Sequence, residues 1–169
     1  CYRANVWNIG AEGQLLIGSL FGSWLALSLI DIDSAWVLPS VLITGALAGA
    51  AWAAIPAYLK TRFNTNEILT TIMLNYIALN MLLFSVHGPL KDPAGFNFPE
   101  SALFSDSATL PILFEGNRIH FGIVLALFFV VAAWVLLSKT FVGFQIAVLG
   151  KDASAARFAG FKEGRLIWF

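Results

Sequence analysis

The sequence predicts an all-α, polytopic transmembrane helix bundle, and three observations predict it. Hydrophobic residues make up 59% of the 169 and charged residues only 12%, where a soluble domain carries about a quarter charged residues. Mean hydropathy is +0.79. Four stretches stay apolar over the roughly 20 residues that a helix needs to cross a hydrocarbon core of about 30 Å. None of them alternates with period 2, the pattern of a transmembrane barrel's shorter strands.

The first stretch runs from about Gly13 to Ile30 and carries Gly18 and Gly22 four residues apart. The second runs from about Val37 to Leu59 with Gly45 and Gly49 at the same spacing, beside Ala46, Ala50, Ala53 and Ala54. Small residues at this interval let helix backbones approach in lipid, so these two helices are expected to pack closely. The third runs from about Ile68 to Val86 and the fourth from about Phe121 to Ser138. A fifth apolar run begins near Leu166 and is cut at Phe169; with Cys1 in place of an initiator methionine, both ends are expected to be cuts. Cys1 as a lipoprotein's first residue is set aside, because Tyr2-Arg3-Ala4 leads directly into Asn8-Ile9-Gly10 with no solvated linker.

Lys and Arg give the orientation, since short cytoplasmic loops carry the excess. Lys60 and Arg62 follow the second stretch, and Lys139, Lys151, Arg157, Lys162 and Arg165 follow the fourth. The opposite side holds Asp31 and Asp33, then Lys91 and Arg118 among Asp92, Glu100, Asp106 and Glu115. Residues 87–120 are thus expected to be an extracytoplasmic loop or cap, rich in turn formers such as Gly88-Pro89 and Asp92-Pro93, and 139–165 a cytoplasmic loop.

Zero net charge excludes a basic nucleic-acid face. The single cysteine excludes a disulfide framework, and His87 and His120 have no metal-ligand partners at regular spacing, so neither a catalytic nor a metal site is expected. Gly150-Lys151 lacks phosphate-loop spacing, and Asp152 stands where that loop needs Ser or Thr.

The polar residues near the spans have two readings each. Asn8, Glu12 and Gln14 are candidates for a solute pathway, because ionisable and irregular segments at membrane depth are tolerated where they line a cavity or are buried in protein. They equally fit an interfacial helix start, with Asn8 as N-cap and Glu12 favoured by the helix dipole. Glu67, Thr71 and Asn75 form an i, i+4 stripe that could touch a solute or bond a neighbouring helix, while Asn80 lies off it as a packing or capping residue. The amphipathic stretch from Thr140 to Gly160 is too short to span and reads as a helix under the membrane or a solvated connector.

Asn8-Ile9-Gly10-Ala11-Glu12-Gly13-Gln14, Asn66 to Ala78 (NEILTTIMLNYIA) and Gly88-Pro89-Leu90-Lys91-Asp92-Pro93 occur in this order. Together they resemble the permease subunit of bacterial ABC importers of the ribose and branched-chain amino acid superfamily, in its nucleoside and simple-sugar branch. The resemblance covers nearly the whole chain and implies a partial transmembrane permease domain over 1–169, central in a larger bundle of the bacterial inner membrane. It implies as partners a second permease subunit, an ATP-binding subunit and an extracytoplasmic substrate-binding protein, often a lipoprotein. ATP and Mg would then sit on the partner ATPase, with no cofactor on this chain.

The resemblance also gives weight to Asn8, Glu12, Gln14, Thr71 and Asn75 as residues near the pathway. It makes the 139–165 loop an ATPase-coupling element, with Gly143, Gly150, Ala155, Ala156, Arg157 and Gly160 as matching positions. Relatives usually carry an arginine at Ala147 and an Asn-Pro pair at Asp152-Ala153, which leaves the cap of the coupling helix open. The implied mechanism is alternating access driven by the partner's ATP hydrolysis. A passive channel would need no nucleotide, and an ion-coupled transporter would usually place several ionisable groups at the midplane, where only Glu12 offers itself.

Overall fold

The computed structural model describes residues 2–168 except 94, 96, 97, 114, 115 and 118; for Tyr2, Glu163 and Arg165 it describes the backbone alone. Cys1, Phe169, the loop charges Glu115 and Arg118 and the Arg165 side chain lie outside the described residues. Regular structure among the described residues is helical: α1 (Ala11–Ser28), α2 (Val37–Phe63), α3 (Glu67–His87), α4 (Gly122–Lys139), α5 (Phe141–Lys151), α6 (Ala153–Phe158) and α7 (Glu163–Ile167), with 3-10 turns at Tyr2–Ala4 and Asp106–Ala108. An isolated antiparallel bridge joins Ile112 and His120.

The fold is that of a polytopic helical membrane bundle. Helices α2, α3 and α4 are long and apolar enough to cross a membrane. Helix α1 occupies the first predicted span over 18 residues, but Glu12, Gln14, Ser19 and Ser23 dilute its apolar character, and it is not among those three. The chain divides into two compact units, Ile9–Thr109 and Cys1–Asn8 with Leu110–Phe169.

In the unit Ile9–Thr109, α1 and α2 meet through their glycines. A Cβ added to Gly18 would lie 2.8 Å from the Gly45 carbonyl oxygen, and one on Gly49 would lie 3.0 Å from that of Gln14. Only hydrogen atoms fit there, which is why the small-residue spacing brings the backbones together. Ile17, Leu20 and Ala78 form the buried core, with Ala48, Trp52 and Leu82 packed against it. Asn64 ends α2 in the left-handed conformation at φ 50, and its N–H donates to the Lys60 carbonyl. Two residues on, the Asn66 side chain caps α3 by accepting from the N–H groups of Ile68 and Leu69 at 3.0 and 3.4 Å. Asparagine suits both posts, tolerating left-handed backbone and accepting orphan helix donors. A Lys60–Glu67 ion pair of 2.9 Å closes the turn.

The Asp106–Ala108 turn packs against the ends of α1 and α2. Ala108 packs with Ala26 and Val37, and the Ser107 hydroxyl donates to the Ile32 carbonyl at 3.3 Å.

In the other unit, no residue of α4 is buried, as suits a helix covered by lipid or by further helices. The Lys139 ammonium sits 5.6 Å from the Trp134 ring centroid at the helix end, a pairing found where spans meet the interface. Thr140 then turns the chain, its hydroxyl accepting the Gly143 N–H at 3.2 Å. Ile146 and Leu149 of α5 pack with Ala4, Ala156 and Leu166, so α5, α6, α7 and the Tyr2–Ala4 turn share one core.

Candidate functional site

The segment before α1 is held by α3. Helix α1 begins at Ala11, and Gly10 at its cap position supplies no side chain. The N–H of Gly13, in the first turn, would be an orphan donor. Asn75 takes it: its Oδ1 accepts from Gly13 N at 2.8 Å, while its Nδ2 donates to the Ile9 carbonyl at 2.9 Å. One turn earlier on α3, the Thr71 hydroxyl accepts the Ile9 N–H at 3.3 Å and donates to the Glu67 carbonyl at 2.7 Å. Thr71 is only 2% exposed. The polar stripe on α3 therefore bonds backbone across the helix pair, and the cap of α1 comes from another helix.

This corrects one expectation. Asn8 is not the N-cap of α1, because the helix starts three residues later and α3 supplies the acceptor. Gly13 has a matching reason to be glycine, since a Cβ there would lie 2.7 Å from the Asn75 Oδ1. Glu12 is exposed and Gln14 half-buried on the same turn of α1; Asn8 is half-buried in the other compact unit. Glu67, the remaining member of the stripe, is turned to its ion pair with Lys60.

Farther along the same helices, α1 and α3 bound an open groove of about 1180 Å³. Phe21 and Trp24 line it from α1, Tyr76, Asn80 and Phe84 from α3, and Pro89 to Lys91 from the following loop. Asn80 makes a local bond, its Nδ2 donating to the Tyr76 carbonyl at 2.7 Å. Its place in the groove was not legible from its position off the polar stripe, which marked it only as a packing or capping residue.

The segment after α4 is two helices broken at Asp152. The Asp152 carboxylate accepts the Ser154 N–H at 2.8 Å and caps α6, with Ala153 as its first residue. Hydrogen bonds from the Ser154 and Ala155 backbones hold this carboxyl below its ordinary value. An Asp-Ala pair thus performs what an Asn-Pro pair would, a side-chain cap followed by a first-turn residue. Gly143 and Gly150 have steric duties: a Cβ on Gly143 would collide with the carbonyl oxygens of Leu136 and Leu137, and one on Gly150 with that of Arg3. Ala156 is wholly buried, Ala155 and Arg157 are exposed, and Gly160 adopts φ +79 just beyond α6. Beside them Phe158 is 97% exposed, a large apolar group that the sequence pattern did not single out.

The family model for the branched-chain amino acid transport system permease component matches residues 1–169. A glucose ABC transporter permease protein of Haloferax volcanii is 38% identical over 99% of this chain and 46% of its own length. A guanosine ABC transporter permease protein of Bacillus subtilis is 35% identical over 94% of the chain and 46% of its length. A nucleoside ABC transporter permease protein of Lactococcus lactis is 30% identical over 98% and 47%. The chain spans slightly under half the length of these relatives. No solved structure matches. By its helical membrane fold and a family match along its whole length, the chain belongs to the branched-chain amino acid transport system permease component family.

Proposed function

We propose that this chain is the central part of the permease subunit of an ATP-driven importer for a nucleoside or simple sugar, placed in the bacterial inner membrane. The observation that carries the reading is the family match over residues 1–169, joined by relatives described as permeases for glucose, guanosine and nucleosides. Its partners are a second permease subunit, an ATP-binding subunit and an extracytoplasmic binding protein or lipoprotein. ATP and Mg belong to the ATP-binding subunit.

Two features of the geometry support the division of labour. The exposed Glu12 and half-buried Gln14, backed by Thr71 and Asn75, offer polar groups beside a firmly held helix start, which suits the inner part of a solute pathway; Asn8, in the other compact unit, is a further pathway candidate. The α5–Asp152–α6 segment follows a span directly and presents Ala155, Arg157 and Phe158 outward from a packed core containing Ala156. Such a separately cored segment suits coupling to the ATP-binding subunit, with Gly143 and Gly150 permitting its close backbone contacts and Gly160 turning the chain after α6.

The test is the ATPase rate of the purified full-length complex in nanodiscs, with and without solute-loaded binding protein. The importer reading expects stimulation by the loaded binding protein that is lost with Arg157→Glu or Phe158→Asp. An ATPase rate indifferent to the permease and to both substitutions overturns it.

A further inference from the structure

We infer that Phe161 is a positioning residue for the ATP-driven step: by packing against Phe141 and Phe144 it ties the far end of α6 to the first turn of α5, so that a displacement of α6 by the ATP-binding subunit reaches the end of α4. This inference rests on the importer reading and adds to it the route by which motion passes through this chain. All the residues involved lie in one compact unit.

Helix α6 joins α5 through one residue. Asp152 ends α5, its N–H donating to the Val148 carbonyl at 3.0 Å, and it also caps α6, while its own backbone is extended. A single non-helical residue between two helices can act as a hinge. With that joint alone, α6 would swing when its outward residues Arg157 and Phe158 were pushed. The other end of α6 supplies a second attachment. Gly160, at φ +79, donates its N–H to the Arg157 carbonyl, and Phe161 donates its own to that of Ala156, both at 3.0 Å. These two bonds make a Schellman turn, whose left-handed residue glycine adopts without strain.

Beyond the turn, the Phe161 ring lies against Phe141 and Phe144, with centroids 6.1 and 6.5 Å away and ring planes at 90° and 82°. Phe141 and Phe144 are themselves stacked at 6.2 Å. All three separations fall in the range of about 4.5–7 Å over which aromatic rings attract. Burial does not account for the cluster, because Phe141 and Phe144 remain 67% and 57% exposed, and the core residues Ile146 and Leu149 lie on another face of α5. Gly143, between the two rings in sequence, completes the route. A Cβ there would collide with the Leu136 and Leu137 carbonyl oxygens, so the first turn of α5 rests directly on the last turn of α4. A push on α6 thus passes through Phe161 to the paired rings, and from them to the span.

The experiment uses the full-length permease complex in proteoliposomes with its second permease subunit, ATP-binding subunit and binding protein. Radiolabelled guanosine and D-glucose are the probes, and solute moved per ATP hydrolysed is scored with whichever the unsubstituted complex accumulates. Phe161→Ala should keep most of the ATPase rate, while solute per ATP falls by at least about fivefold, the low end of the range for coupling between sites. Phe161→Tyr, which keeps a ring, should restore the ratio; a protein merely destabilised would lose ATPase and uptake together. Phe144→Ala should lower the ratio too, and adding it to Phe161→Ala should lower it no further, because residues acting as one unit are not additive. An unchanged ratio in Phe161→Ala, no rescue by Phe161→Tyr, or independent additive losses overturn the assignment. Where Phe161→Ala does not assemble, Phe144→Ala decides alone, since its ring is more than half exposed, and an unchanged ratio there overturns the assignment. An unsubstituted complex that accumulates neither probe with ATP overturns the importer reading, and this inference with it; that failure is seen before any substitution is made.

Discussion

Asn75 of α3 and Gly13 of α1 are joined by a 2.8 Å hydrogen bond from the glycine N–H to the Asn75 Oδ1, although 62 residues separate them. The same carboxamide donates to the Ile9 carbonyl, so one side chain satisfies backbone on both sides of the helix start.

Replacing Asn75 should therefore loosen α1 without touching its sequence. Asn75→Leu leaves the Gly13 donor and the Ile9 acceptor without partners, at a cost of about 1–3 kcal/mol. A thermal melt of the full-length complex in detergent should show a lower Tm, with faster amide exchange at residues 9–13. An unchanged Tm and unchanged exchange would show that these backbone groups find other partners.

The two glycines of α1 should differ in tolerance. A Cβ on Gly18 meets the Gly45 carbonyl at 2.8 Å, whereas one on Gly22 meets the Val41 carbonyl at 3.6 Å, an ordinary contact. Gly18→Ala is expected to destabilise by about 1–3 kcal/mol, the usual range for overpacking, and Gly22→Ala to be close to neutral. Comparing the two melts checks this ordering.

Asp152 makes the cap of α6 dependent on pH. Its carboxyl is held below the ordinary value by the Ser154 and Ala155 backbone N–H groups, so the ionised cap is fully present at neutral pH. A lowered folded-state pKa means that this contribution is lost as pH falls through that value. Amide exchange at Ser154 and Ala155, corrected for intrinsic rates, should accelerate only in acid. Asp152→Asn should keep the cap and remove the pH response, and Asp152→Ala should fray α6 at every pH.

Gly150 should tolerate no side chain. Gly150→Ala places a methyl group against the Arg3 carbonyl and should separate the Tyr2–Ala4 turn from α5. The reporter is the bond from Arg3 Nη1 to the Leu137 carbonyl, 2.8 Å long. Proteolysis in the first residues should become faster in Gly150→Ala and remain slow in Ala147→Ser, a change at a half-buried position of the same helix.

Patterns that act along one helix were legible in the sequence. The glycine spacing of Gly18, Gly22, Gly45 and Gly49 foretold close packing because a helix repeats its face every three to four residues. Polar composition did not reveal partners: Thr71 and Asn75 showed a stripe, but nothing local says that it bonds the backbone of residues 9 and 13. Side chain to backbone bonds leave no complementary residue type to read. The same holds for Gly150, whose constraint lies near the other end of the chain. The groove was hidden because Trp24, Tyr76 and Asn80 look like ordinary span residues until two helices are set side by side. The first span was expected from about Gly13 to Ile30, whereas α1 runs from Ala11 to Ser28, which brings Glu12 inside the helix and leaves Ile30 beyond it.

This chain is proposed to form part of an ATP-driven solute pathway. Its most direct test is accumulation of radiolabelled guanosine and D-glucose in proteoliposomes holding the full-length permease, its second permease subunit and its ATP-binding subunit, with binding protein outside and ATP supplied to the nucleotide-binding face. Accumulation above the external concentration is expected, and it should stop when the ATPase is inactivated by substitution. Solute movement that only equilibrates and ignores the inactivated ATPase would contradict it and identify a passive channel.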